Sequence, residues 1–302
     1  MVAAIPTSPS TDDIAAVHDK TLDWYDTHAR DLPWRAPDAS PWHVMISEFM
    51  LQQTPVSRVL PVYEQWVDRW PRPADLAAVA TGEAVRAWGR LGYPRRALRL
   101  HACAVTITER HAGIVPSDHA DLHALPGVGD YTAAAIASFA FGQRHAVLDT
   151  NVRRVLGRVV VGEEYPNASV SVMERRLADA LLPTEQRRAA RWAVAVMELG
   201  ALVCTARSPR CAECPIRAHC RWRLAGYPAY DGPARRGQSW AGTDRQCRGR
   251  LLDVLRRDHG RVGKARLDAV WDDAMQRERA LDGLVADGLV EAHADGTYAL
   301  PT

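Results

Sequence analysis

The stretch Leu125-Pro126-Gly127-Val128-Gly129-Asp130-Tyr131-Thr132 constrains the fold more than any other part of the chain. Two glycines one residue apart permit a tight turn with positive φ, which residues carrying a Cβ resist. A polar segment (116–123) precedes it. A run of small apolar residues, Ala133-Ala134-Ala135-Ile136-Ala137-Ser138-Phe139-Ala140, follows and ends near Gly142, a helix stop. The pattern predicts a hairpin whose glycine-rich turn feeds a helix N-terminus. Backbone N–H groups and the helix dipole converge there in a way that suits a phosphate. An ordinary helix–turn–helix corner fits the same residues.

The rest of the chain reads as mostly helical. Thr11-Asp12-Asp13 suits the start of a helix carrying Ile14, Val17, His18, Leu22 and Tyr25 on one face. Ser40-Pro41 opens a second helix and Thr54-Pro55 a third, each with a capping hydroxyl and proline in the first turn. Further helices are predicted over 74–80, 82–91 and 97–111. No convincing alternating strand occurs before residue 140. The balance of 47% hydrophobic and 25% charged residues is that of a soluble globular protein. No apolar run reaches the length of a membrane span. The first residues lack a basic region followed by an apolar one, so a cytoplasmic protein is expected. Formal net charge is only +2, but residues 204–250 hold ten arginines against Glu213, Asp231 and Asp244. That excess suits either a phosphate-facing surface or a solvated loop.

Two features carry chemistry. Glu48 shares a helix face with Val44, Met45 and Leu51. A carboxyl group buried there would be a general acid, whereas one at the edge of the face would only reach water. Cys204-x6-Cys211-x2-Cys214-x5-Cys220 offers four thiolates. Four thiolates suit a [4Fe–4S] cluster or a tetrahedral zinc, but zinc sites usually show two close pairs and only Cys211 and Cys214 form one. Cys103 and Cys247 fall outside the pattern.

The hairpin, Asp149 in Val147-Leu148-Asp149-Thr150-Asn151-Val152-Arg153-Arg154 and the cysteine spacing together resemble the helix-hairpin-helix DNA glycosylase superfamily. The likeness is to its iron–sulfur branch, with endonuclease III and the MutY adenine glycosylases, and runs from about residue 23 to about 225. Glu48, in Ile46-Ser47-Glu48-Phe49-Met50-Leu51-Gln52-Gln53-Thr54, matches the MutY general acid that protonates adenine. Asp149 would stabilise the sugar cation as well as cap a helix. Tyr131 stands where lyase-competent relatives carry a Schiff-base lysine, which implies base removal without strand cleavage. The resemblance implies an adenine pocket of Trp34, Arg35 and Glu198. It implies DNA contacts by Gln53, Thr54, Tyr93, Gly127, Gly129, Thr132, Asn151, Arg207 and Arg210. It also implies a [4Fe–4S] cluster on Cys204, Cys211, Cys214 and Cys220. Gln53 and Tyr93 would fill the space left by a flipped base.

The implied fold is mainly α: two helical subdomains with a helix-hairpin-helix motif and an iron–sulfur loop, then a small winged-helix-like α+β domain. The expected division is a disordered 1–13, a cluster subdomain of 14–45 with 141–225, and a six-helix subdomain over 46–140. A linker over 226–246 and the winged-helix-like 247–302 complete it. In the last segment a hairpin is predicted around Asp295-Gly296, and charges nearly cancel, so no nucleic-acid role is indicated there. Two departures stand out. The family's usual Gly-Leu-Gly-Tyr-Tyr is Arg90-Leu91-Gly92-Tyr93-Pro94 here. The larger hydrolase-like domain that reads 8-oxoguanine, with its Phe-Ser-His loop, is not found. The expected activity is excision of adenine opposite 8-oxoguanine or guanine in double-stranded DNA by a monomer. A mismatch thymine or uracil glycosylase, or a non-catalytic iron–sulfur DNA-binding protein, would use the same hairpin and cluster.

Overall fold

The computed structural model describes residues 11–232 and 240–302. Residues 1–10 of the expected disordered segment and 233–239 of the expected linker lie outside the described residues. Helix α1 (Thr11–His28) starts at Thr11, so residues 11–13 are helical rather than disordered. Helix α2 (Pro41–Leu51) begins as its sequence predicts: Ser40 Oγ accepts the His43 N–H at 3.2 Å and Pro41 takes the first position. Helix α3 (Val56–Arg69) is capped by Pro55, not Thr54. The Thr54 hydroxyl is engaged elsewhere, accepting from Arg96 at 2.9 Å.

Helices α4 (Pro73–Ala77), α5 (Thr81–Trp88), α6 (Arg95–Arg110), α7 (His119–Ala124) and α8 (Asp130–Phe141) follow. Then come α9 (Thr150–Leu156), running into a π turn over Gly157–Val161, α10 (Val172–Leu181), α11 (Gln186–Leu202) and α12 (Arg221–Leu224). The C-terminal segment runs α13 (Asp244–Arg257), β1 (Val262–Gly263), α14 (Lys264–Asp268), α15 (Ala274–Ala286), β2 (Glu291–Ala292) and β3 (Thr297–Ala299). Its antiparallel sheet has the order β1-β3-β2, with Val262 and Ala292 both opposite Tyr298. The predicted hairpin is there, with Gly296 at φ 76°. The two-residue β1 leaves no alternation for a sequence to show. The chain is therefore mainly helical with one small sheet. No helix among the described residues is long and apolar enough to cross a membrane.

The described residues form two compact units. One takes those of Met1–Ala39, Ser117–His119 and Gly129–Ala234; the other those of Ser40–Pro116, Ala120–Val128 and Arg235–Thr302. Two groupings differ from the sequence-based division. Helix α8 belongs with the cysteine-bearing unit, where Ala134 and Ala135 pack with Val147 and Ala193. The C-terminal segment shares a unit with α2–α6 instead of standing alone. The Gly82 N–H donates to the Pro301 carbonyl at 2.7 Å, and a Cβ on Gly82 would lie 2.8 Å from Leu300 Cβ. Leu251, Leu252 and Leu255 on α13 are buried.

Candidate active site

In the first unit, Asp149 is the N-cap of α9. Its Oδ1 accepts the Val152 N–H at 2.6 Å and its Oδ2 accepts Asn151 Nδ2 at 2.7 Å. Both donors are neutral. Burial, the dominant influence, pushes the Asp149 carboxyl above the usual aspartate range, and these hydrogen bonds only partly oppose it. Arg154 stands one residue removed. Its Nη2 donates to Asn151 Oδ1 at 2.8 Å and so fixes which end of that amide faces Asp149. It also donates to the carbonyls of Gly200 and Cys204, each at 2.7 Å. A Cβ on Gly200 would sit 2.7 Å from Asn151 Cβ, so α11 passes this close only because residue 200 is glycine.

Glu198, on α11 of the same unit, is fully buried. Its Oε1 accepts from the Arg30 backbone N–H (3.0 Å) and Nε (2.7 Å), and its Oε2 from Arg30 Nη2 (2.7 Å) and Arg35 Nη2 (2.8 Å). Burial alone would raise its pKa, but the two guanidiniums prevail and hold it at about 2. Both oxygens are thus spent on arginines. Arg35 follows the buried Trp34 in a short 3₁₀ turn, and its Nη1 is buried without a hydrogen-bond partner among the described residues. Tyr131 and Thr132 occupy the first turn of α8, Thr132 buried and Tyr131 half-buried.

The four cysteines line one cavity with Ile216, Trp222 and Arg158. Arg158 is buried over the Trp222 ring, 4.5 Å from its centroid, and its Nη1 points at Cys204 Sγ at 3.4 Å. Four thiols around one cavity supply the thiolate set that a [4Fe–4S] cluster takes. Arg207, nearby in sequence, is exposed. Arg210 is not fully given over to solvent: its guanidinium donates to the Leu202 carbonyl at the end of α11.

In the second unit, Glu48 is buried on α2 among Val44, Met45 and Phe49. Gln53 and Tyr93 are exposed and share an unusual property: both are non-glycine residues at positive φ, 55° and 46°. Such conformations cost about 1–3 kcal/mol and persist only where the surroundings fix them. Arg96 does the fixing. Its Nη1 donates to the carbonyls of Phe49 (2.8 Å), Met50 (3.0 Å) and Gln52 (2.7 Å), and its Nη2 to Thr54 and to the Gly92 carbonyl (3.0 Å).

The hairpin turn needs only one of its two glycines for conformation. Gly127 has φ 79°, and a Cβ there would lie 2.7 Å from Arg99 Cβ. Gly129 is the N-cap of α8 at φ −104°, with open space where a Cβ would be. Of the two glycines, Gly127 supplies the positive φ that the turn requires. Among the expected DNA contacts, Asn151 hydrogen-bonds a catalytic candidate, Asp149. Sequence reasoning missed Arg30, Arg96, Arg154 and Arg158. Arg96 left a signal, since it shares a helical stripe with Leu100, Cys103 and Ile107. Arg154 and Arg158 lie four apart in an apolar segment; Arg30, in a loop, left none.

The model of HhH-GPD superfamily base excision DNA repair proteins matches residues 46–179, and the iron-sulfur binding domain of endonuclease III matches 204–220. An adenine DNA glycosylase of Mycobacterium tuberculosis is 55% identical over 283 residues, covering 93% of this chain and 92% of that protein. The human adenine DNA glycosylase is 41% identical over 220 residues, 70% of this chain but 40% of that protein. Among solved structures, a thermostable thymine-DNA glycosylase has a TM-score of 0.64 at 27% identity over 71% of this chain and 98% of its own. A non-covalent endonuclease III–DNA complex has a TM-score of 0.61 at 24% identity over 72% of this chain and 98% of its own, a likeness of fold.

Proposed function

The chain belongs to the adenine DNA glycosylases of the HhH-GPD base excision repair superfamily, and from that premise we propose that it excises adenine mispaired with 8-oxoguanine or guanine and leaves the strand intact. It is a hydrolase of the N-glycosidic bond and carries a [4Fe–4S] cluster on the loop of Cys204, Cys211, Cys214 and Cys220. A monomer acting on double-stranded DNA in the cytoplasm, at the nucleoid, suffices for this chemistry.

The observation that carries the reading is the state of Asp149. It is a carboxylate raised in pKa by burial, held by neutral donors only. As the base leaves, the sugar acquires oxocarbenium character, and a charged carboxylate without a cationic partner of its own is suited to stabilise it. Glu48, buried on an apolar face, supplies the proton that makes adenine a neutral leaving group. Water completes the hydrolysis. Tyr131 offers no amine, so no Schiff base forms at that position. Arg35 Nη1, an orphan donor, is available to an acceptor nitrogen of the flipped base, beside Trp34. Glu198 supports the pocket through Arg35 rather than by touching the base. The cluster, when bound, pins the loop bearing Arg207 and Arg210, which with Gly127, Gly129, Thr132 and Asn151 face the backbone phosphates. Gln53, Thr54 and Tyr93 serve the strand opened by flipping.

Duplexes with A:8-oxoguanine, A:G and T:G pairs, analysed with and without alkali, test this. Breaks should appear only with the adenine substrates and only after alkali. Cleavage of T:G would point to the thymine activity, and no cleavage of any duplex to a non-catalytic binder. Glu48→Gln should lower single-turnover excision by about 10²–10⁴-fold. A near-normal rate in that variant would remove adenine protonation from the mechanism.

A further inference from the structure

The C-terminal segment is gripped by one helix of its unit and in turn grips the loop that follows that helix. Arg86 on α5 donates from Nη1 to the carbonyls of Arg256 and Asp258 (2.6 Å to the latter), closing the C-terminal end of α13. In return Arg256, on α13, donates from Nε to the Val85 carbonyl of α5 at 3.0 Å, buried deeply enough that its pKa falls to about 10. This reciprocal clasp sits just before the loop 89–94. Two ion pairs then flank the loop itself. Arg90 Nη2 meets Asp253 on α13 at 2.7 Å, and Arg95 Nη1 meets Asp287, just after α15, at 2.8 Å. Asp287 is also held by Arg248.

Between those two arginines lies Gly92-Tyr93-Pro94. Tyr93 is half exposed and at positive φ. From inside the unit its backbone is pinned by Arg96 and by Trp88 Nε1, which donates to the Gly92 carbonyl at 3.0 Å. Arg58 on α3 and the Thr54 hydroxyl also hold backbone carbonyls of this loop, at Arg90 and Leu91, while the side chains of Arg90 and Arg95 are held by the C-terminal segment. We propose that the C-terminal segment is a positioning element for the Tyr93 loop, acting through Asp253 and Asp287, and that it governs how far the duplex is opened and not the bond-breaking step. The inference rests on the reading of Tyr93 as the residue that enters the opened duplex. It gives the near-neutral C-terminal segment a role in duplex opening that needs no phosphate contact of its own.

The test uses the full-length holoprotein and a duplex with 2-aminopurine in place of the target adenine, whose fluorescence rises on unstacking. The double variant Asp253→Asn/Asp287→Asn should lose about fivefold in the unstacking equilibrium, two exposed ion pairs being modest individually. Its affinity for the duplex should not fall, since removing two negative charges favours phosphate binding. A loss of unstacking with equal or tighter binding is therefore opposite in sign to a bulk-charge effect. The exchanged pair Arg90→Asp/Asp253→Arg should recover unstacking relative to Arg90→Asp alone. Unstacking that is unchanged, or that rises along with affinity, would overturn the proposal. Tyr93→Ala separates the two layers. If it leaves unstacking intact, the reading of Tyr93 fails. If it abolishes unstacking while the aspartate variants do not disturb it, the positioning role fails alone.

Discussion

Asp149 and Glu198 are both enclosed carboxylates of the same unit, and they are held in opposite electrostatic states. Glu198 accepts four hydrogen bonds from two arginines and is driven down to about 2. Asp149 accepts two hydrogen bonds from neutral groups, its nearest helpful cation stands behind Asn151, and burial drives it upward. The difference is one of chemical availability. A carboxylate neutralised at both oxygens can brace a fold but has nothing left for a developing cation. One that is oriented by Asn151 and a helix N-terminus, yet left without a direct counter-ion, costs the fold something and, when ionised, carries a charge that no neighbouring cation cancels before the sugar does.

The strongest way to break this comparison is Asp149→Asn. Single-turnover excision should drop by about a thousandfold, the scale of losing a preoriented electrostatic stabiliser. Loss of less than tenfold would make Asp149 a cap and nothing more.

Next in size is Glu198→Gln. It leaves Arg30 and Arg35 facing a neutral amide, and urea unfolding should show a loss of about 3 kcal/mol, the low end for breaking a buried pair because Arg30 keeps a third of its side chain exposed. Unchanged stability would mean the arginines find other partners.

The smallest expected effect sharpens the contrast. Asn151→Ala removes one neutral hydrogen bond from Asp149 and uncouples Arg154 from it. Excision should fall by about fivefold, in keeping with a single hydrogen bond of about 1 kcal/mol. Melting should change little. A fall in melting as large as that of Glu198→Gln would show that Asn151 is a structural brace.

This contrast was only half legible in the sequence. Glu48 and the four cysteines stand out by local pattern, an apolar helix face and a fixed spacing, whereas Asp149 reads locally only as a helix cap and its role, like that of Tyr131, is what the family resemblance implies. The helical class followed from the same periodicities. Glu198 could be named as a site residue, but its state could not, because Arg30 and Arg35 reach it from more than 160 residues away. Arg96 is readable as an intruder in an apolar stripe, yet the five groups it bridges come from the last turn of α2 and from two loops that no local pattern joins. Which of Gly127 and Gly129 takes the positive φ is not legible in the sequence, where the two look alike; the space around each separates them. The grouping of α13–α15 with α5 and α6 also rests on long-range contacts, such as Arg86 to the end of α13 and Gly82 to Pro301.

The pH dependence of stability tests the central claim most directly. Unfolding free energies of the holoprotein are measured from pH 7 down to about pH 3 and compared with those of the Asp149→Asn and Glu198→Gln variants. For Asp149 the folded pKa lies above the unfolded one, so the folded state binds more protons in the window between them. Wild type should therefore gain stability relative to Asp149→Asn as pH falls through the raised pKa. For Glu198 the folded pKa is about 2, below the unfolded value, so wild type should lose its advantage over Glu198→Gln as pH falls below the usual glutamate range. Opposite slopes are the predicted result. Slopes of the same sign, with wild type losing ground to both variants in acid, would show that Asp149 is a paired carboxylate like Glu198 and would contradict the account.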